Sequence, residues 1–127
     1  MSLEYLEKYA SPLIRITMSL VFLYFGYRQI TDPVTWTGFV PSGVLIFGIT
    51  AYQAVIMNAL LELSFGFLLL IGLYTRFVAF ILALHLFGIA FSIGLNDLGI
   101  RDFGLAFATL SVFLRGSDEW CLDQKWK

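Results

Sequence analysis

Charge is scarce in this chain. Only 13% of its 127 residues are Asp, Glu, Lys or Arg, against roughly 25% in an ordinary soluble domain. Eight basic residues face nine acidic ones, for a net charge of −1, and the basic residues stand singly rather than in a patch. Nucleic acid, which is held by clustered cations, is therefore set aside as a partner. Cysteine is nearly missing as well: Cys121 alone rules out an internal disulfide. With one histidine, His85, the chain assembles no Cys/His metal cluster and no pair of axial haem ligands. No glycine-rich dinucleotide loop and no Cys-x-x-Cys occurs either. The sequence thus carries no haem, NAD or metal motif, and no metal ligands are expected.

What fills the space is apolar. Hydrophobic residues make up 59% of the chain and the mean hydropathy is +0.83. A soluble chain of this length has too small a core to hide so many Phe, Leu and Ile side chains, so lipid must take them. Four segments read as spans, over residues 12–30, 51–74, 77–95 and 98–114. Each of the first three approaches the ~20 residues a helix needs to cross hydrocarbon. The fourth works only if Arg101 and Asp102 are drawn into its outer end, since Phe103 to Leu114 is short by itself. The apolar runs are too long, and too poor in period-2 alternation, for an outer-membrane barrel. The expected fold is all-α: one domain, an integral membrane four-helix antiparallel bundle.

The connections set the topology. Thr75 and Arg76 leave room only for a tight turn, and Asn96 to Gly99 closes the next hairpin. Residues 31–50 are different: a long, aromatic first loop with Asp32, Pro33, Trp36, Phe39, Pro41 and Phe47, suited to the membrane interface or to folding back over the bundle. A re-entrant helix over Val44 to Ile49 is one form it can take. An even number of spans gathers Lys8, Arg15, Arg76, Arg115, Lys125 and Lys127 on one side and leaves Arg28 and Arg101 on the other. The positive-inside rule then puts both termini in the cytoplasm of a cell whose plasma membrane holds the chain. The N-terminus lacks a basic leader region and a small-residue cleavage site, so the first span is expected to stay as an anchor.

Glu62 is the most informative residue, a carboxylate amid a charge-free apolar run. In a bilayer it must be protonated, paired or wetted, and so points inward. At ~1.5 Å per residue it lies about 20 Å above the Arg76 turn, and Arg101 reaches about the same height above Arg115, so the two are expected to pair. His85 is about 6 Å lower on the adjoining helix. Asn58 shares the face of Glu62 one turn away. Asn58, Glu62, His85, Arg101 and Asp102 therefore form a candidate buried cluster, in which Glu62, His85 and Asp102 are candidate catalysts and Asn58, Glu62, His85 and Arg101 candidate cofactor-binding groups. Arg15 is expected to snorkel into headgroups instead.

Each residue also has a plain structural role open to it. Glu62 with Arg101 can simply fix helix register. His85 can pack or hydrogen-bond rather than move protons, and Asp102 can act as a helix N-cap or local charge partner. Ala79 with Ala83, Gly88 with Ser92 and Gly104 with Ala108 are devices for close helix contact, within the chain or between copies in a homo-oligomer. Cys121, beside Trp120, reads as an inert interfacial thiol.

The order of features resembles the DoxX family. Leu13-Ile14-Arg15-Ile16 opens the first helix, followed by Phe22 to Gly26 and by Asp32-Pro33, Trp36 and Pro41 in the loop. Then come Glu62-Leu63, Gly66, Leu69-Leu70-Ile71-Gly72, Thr75-Arg76 and His85. Gly94-Leu95-Asn96-Asp97, Ile100-Arg101-Asp102-Phe103-Gly104-Leu105 and Trp120-Cys121-Leu122-Asp123 complete the set, from about Pro12 to Asp123. The chain departs where a basic residue usually follows Gly26 by three: Gln29 stands there, and Arg28 comes one place, or about 100° of helix, earlier. The resemblance implies an inner-membrane protein in a family named for the small subunit of a thiosulfate:quinone oxidoreductase. It points to a quinone and to a soluble redox partner on the cytoplasmic face. The alternative is a non-catalytic membrane scaffold or a small-molecule or lipid-binding protein that docks a soluble partner.

Overall fold

A computed structural model describes residues 3–40 and 42–125. Pro41 of the loop and Lys127 of the basic set lie outside the described residues. The described chain is helical: α1 (Glu4–Glu7), α2 (Ala10–Thr31), α3 (Pro33–Trp36), α4 (Ala51–Ile71), α5 (Thr75–Ile93), α6 (Asp97–Arg115) and α7 (Leu122–Lys125). Short 3-10 segments, Thr37–Phe39 and Ser42–Phe47, follow α3. Among the described residues, three helical stretches are long and apolar enough to cross a membrane: Glu4–Thr31, α4 and α5. α6 is of similar length but carries Asp97, Arg101, Asp102 and Arg115.

Helix ends follow local chemistry. Thr50 and Gln53 form a reciprocal capping box at the start of α4, each side chain serving the other's backbone N–H at 3.1 Å. Gly72 stops α4 in the left-handed conformation, at φ 76°. A side chain at that position would lie 2.5 Å from Cys121 Sγ, so glycine is required there twice over. The turn between α4 and α5 is therefore Gly72 to Tyr74, and Thr75 and Arg76, expected in the turn, are the first residues of α5. At the other end of the molecule Asn96 caps α6, accepting from the Gly99 N–H at 2.9 Å. That assignment leaves Asp102 in the second turn rather than at the cap.

α2 packs along α4 and α5 along α6, with α2 also meeting α6. Met18, Phe22, Leu69, Leu82, Leu86 and Ala106 form the core between them. Close approach matters here because lipid tails are as apolar as leucine, so helix association rests on packing. Gly26 shows it: an added Cβ would sit 2.8 Å from Leu63 Cγ and 3.3 Å from the Ala59 carbonyl oxygen on α4. The expected small-residue pairs divide. Ala79 and Ala83 are buried, whereas Gly88 and Gly104 face open space. Large apolar side chains such as Leu13, Phe67, Leu84 and Phe91 point outward, the surface a bilayer solvates.

Residues 33–39 fold back against α2 and α4. Trp36 meets Phe25 of α2 edge-on, with ring centroids 5.9 Å apart, and Phe39 at 5.8 Å. The expected re-entrant helix over Val44 to Ile49 is instead the 3-10 segment Ser42–Phe47, ended by Gly48 at φ 75°. The poorer hydrogen-bond geometry of a 3-10 turn keeps such pieces short.

Candidate functional site

Two buried polar clusters lie at opposite ends of the helices. The first is built on α4, where Asn58 and Glu62 are one turn apart and share a face. Asn58 Nδ2 donates to Glu62 Oε1 at 3.1 Å and to Gln29 Oε1 of α2 at 2.6 Å. His85 Nε2 of α5 lies 3.5 Å from the same Glu62 Oε1, within ion-pair reach but outside good hydrogen-bond geometry. Glu62 is only 4% exposed, and its second oxygen, Oε2, is buried without a partner among the described residues.

Glu62, Asn58 and Gln29 form one wall of a cavity of about 410 Å³. Arg101 and Asp102 reach it from α6, and Phe22, Phe25, Leu86 and Leu105 make its apolar sides. Trp36 and Phe39 line it from the loop. The expected ion pair between Glu62 and Arg101 is absent among the described residues. Arg101 Nη2 is instead 3.4 Å from Asp102 Oδ1, and its guanidinium carbon lies 5.8 Å from the Phe25 ring centroid. Equal depth brings the two groups to one cavity without bringing them into contact. The shorter reach favours the neighbouring carboxylate, and Asp102, expected as an N-cap or a charge partner, takes the second role.

Four of the five expected site residues thus line a common space, and His85 stands behind Glu62. Gln29 and Trp36 were not singled out for the cluster. Gln29 occupies the position where a basic residue is usual in the resemblance, and it is buried, while Arg28 is exposed. The signal available for Gln29 was its spacing from Gly26, since Gln29 lies three residues on and on the same helix face.

The second cluster overturns the expectation for Arg15. Its side chain is 1% exposed rather than snorkelling. Nε donates to Asp118 Oδ2 at 2.8 Å, and Nη1 donates to the carbonyls of Leu69 at 2.9 Å and Leu70 at 2.6 Å. Those carbonyls belong to the last turn of α4, where a cation complements the free C=O groups. Asp118 comes from the tail, which continues beneath the α4–α5 turn. Asp123 accepts from the N–H groups of Tyr74 at 2.7 Å and Thr75 at 2.8 Å, capping α5. Cys121, expected at the interface, is fully buried, its Sγ 3.3 Å from Asp118 N and 3.5 Å from Thr75 Oγ1. This cluster fastens the tail. The first surrounds a space a ligand can fill.

A helical chain with outward apolar helices and a buried carboxylate beside a cavity is a membrane protein. The DoxX family model matches residues 11–95, and the chain belongs to that family. The matched stretch contains Arg15, Gln29, Trp36, Asn58, Glu62 and His85, and it ends before α6, so Arg101 and Asp102 lie beyond it. No curated protein matches the chain, and no solved structure does.

Proposed function

We propose that this DoxX protein is the membrane subunit of a quinone-linked oxidoreductase system, of the thiosulfate:quinone type that its family resemblance implies, and that the cavity at Glu62 receives the quinone head. In this reading α6 is a fourth span, the four long helices run antiparallel in the plasma membrane, and both termini face the cytoplasm, where a soluble redox partner docks. The observation that carries it is that Glu62, whose buried Oε2 lacks a partner among the described residues, lines a mostly apolar cavity of about 410 Å³. That volume lies within the range of small-molecule sites, and a buried polar atom without a partner fits a ligand that supplies one.

Reduction of a bound quinone takes two electrons, from the donor that the partner oxidises, and two protons. The chain's own residues serve the proton and the charge. Glu62 Oε2 would hold a proton at the ring oxygen, and Asn58, anchored on Gln29, fixes the carboxyl's orientation. His85, 3.5 Å from Oε1, stands where it can exchange that proton from the side away from the cavity. Arg101, held by Asp102, would offset negative charge developing on an oxygen, an effect that the apolar walls strengthen by excluding water.

The test is to purify the chain in mild detergent, extract its lipid-soluble contents, and titrate wild type and Glu62→Gln with a quinone while following thermal unfolding. Glu62→Gln is expected to lose about tenfold in quinone affinity, the worth of the hydrogen bond from the protonated carboxyl, with the unfolding temperature nearly kept. A wild-type protein that binds no quinone, with Glu62→Gln lowering stability, would point to the scaffold role instead.

A further inference from the structure

Three buried side-chain polar atoms lack a partner among the described residues: Glu62 Oε2, His85 Nε2 and Trp36 Nε1. Glu62 and Trp36 belong to the cavity lining. The indole differs from the carboxyl in one respect: it has a single N–H and no acceptor, so its hydrogen-bonding need has one solution. Several other polar groups of the cavity are engaged. Asn58 gives its amide hydrogens to Gln29 and Glu62, Arg101 holds Asp102, and the Thr35 hydroxyl donates to Asp32. A buried donor left unsatisfied costs free energy in the unliganded protein, and a ligand oxygen placed opposite it recovers that cost on binding.

From this we infer that Trp36 is the ligand-positioning residue of the cavity: its indole N–H donates to a carbonyl oxygen on the head of a lipid-soluble, planar ligand. The inference rests on the reading of the cavity as a quinone site and adds to it the group that recognises the head from the loop side. The ring is braced for the task. Phe25 meets it edge-on at 5.9 Å and Phe39 at 5.8 Å, so the indole has aromatic support on both the helix and the loop. Trp36 ends α3, in the segment that folds back against α2 and α4, and it lines the cavity from that side. A tryptophan is the economical choice for such a place, because its large apolar body completes a dry wall while its one polar atom stays available.

Three probes and one conservative variant separate the outcomes. The probes are a decyl-substituted para-benzoquinone, a decyl aryl ketone that is not reducible under the same conditions, and decylbenzene, which has no oxygen. Trp36→Phe keeps the ring and removes the N–H. The expected result is an affinity about tenfold lower for both carbonyl probes in Trp36→Phe, unchanged affinity for decylbenzene, and an unfolding temperature that does not fall. A second measurement needs no variant: the infrared carbonyl band of the ketone bound to wild type should lie at lower frequency than in hydrocarbon, as for an oxygen that accepts a hydrogen bond.

Equal affinities of wild type and Trp36→Phe for both carbonyl probes overturn the inference, and so does an unshifted carbonyl band. If quinone affinity still falls in Glu62→Gln, the quinone reading survives that failure. A wild type that ignores the quinone but binds the ketone in a Trp36-dependent manner does the reverse, upholding the role of Trp36 and sinking the quinone. Failure of every probe to bind overturns both.

Discussion

Arg15 and Glu62 are both charged residues set in apolar helices, and the protein treats them in opposite ways. Arg15 is paired at each of its nitrogens: a carboxylate and two carbonyls accept from them. Glu62 keeps one buried oxygen without a partner among the described residues, and the residue lines a cavity. That contrast separates a group that holds the fold from one available for chemistry. It also yields a prediction about stability. Asp118→Ala would strand a guanidinium that is 1% exposed, and breaking a buried pair by removing one partner costs about 3–5 kcal/mol. Thermal unfolding in detergent should show a large loss for that variant. Replacing both partners by apolar residues, Arg15→Met with Asp118→Leu, should recover much of it, since no unpaired charge is then left inside. A small loss in the single variant would mean that water or lipid headgroups reach Arg15 after all. The burial of Arg15 was not legible from its place in the sequence. Depth counting put it near the headgroups, and its partner lies 103 residues away in a tail that carries no periodic signal.

Among the elements, the α4–α5 turn and the tail beneath it form one unit. Gly72 ends α4, its carbonyl accepts from Asp123 N at 3.0 Å, and the Asp123 carboxylate caps the first turn of α5. Gly72→Ala meets two costs at once. A left-handed alanine is unfavourable by about 1–2 kcal/mol, and its methyl would lie 2.5 Å from Cys121 Sγ. The tail should detach before the helices do, so limited proteolysis after residue 115 and faster labelling of Cys121 by a thiol reagent are expected while the helical circular dichroism persists. Unchanged Cys121 protection in that variant would contradict the packing described here. The element lengths themselves were readable, because runs of uninterrupted apolar residues need no partner to be recognised. The turn was misplaced by a few residues. Thr75 and Arg76 look like turn formers, yet backbone capping by Asp123 lets the helix begin at Thr75.

For the molecule as a whole, the question is which way it faces. In the proposed orientation the tail and the α4–α5 turn lie in the cytoplasm and the α5–α6 turn outside. With the native Cys121 buried, single cysteines introduced at exposed positions report cleanly. Asp97→Cys should react with a membrane-impermeant maleimide on intact cells, and Glu119→Cys only after the cells are opened. Labelling of both from outside would place α6 on, rather than through, the membrane, and labelling of Glu119→Cys alone would reverse the orientation. In that orientation the cavity would lie toward the outer half of the bilayer, and the fastened tail on the side proposed for a soluble partner.

Composition and apolar run length sufficed to specify a helical membrane protein, and the lone acid at Glu62 to locate a polar interior, because lipid solvation and backbone hydrogen bonding act on each segment separately. Tertiary structure alone decided which polar groups meet. It paired Arg15 with Asp118, turned Arg101 to Asp102, set Gln29 behind Asn58 and brought Trp36 over the cavity. Those contacts depend on helix rotation and on where a loop and a tail fold back, and both are set by packing between segments distant in the chain, which no local pattern of residues encodes.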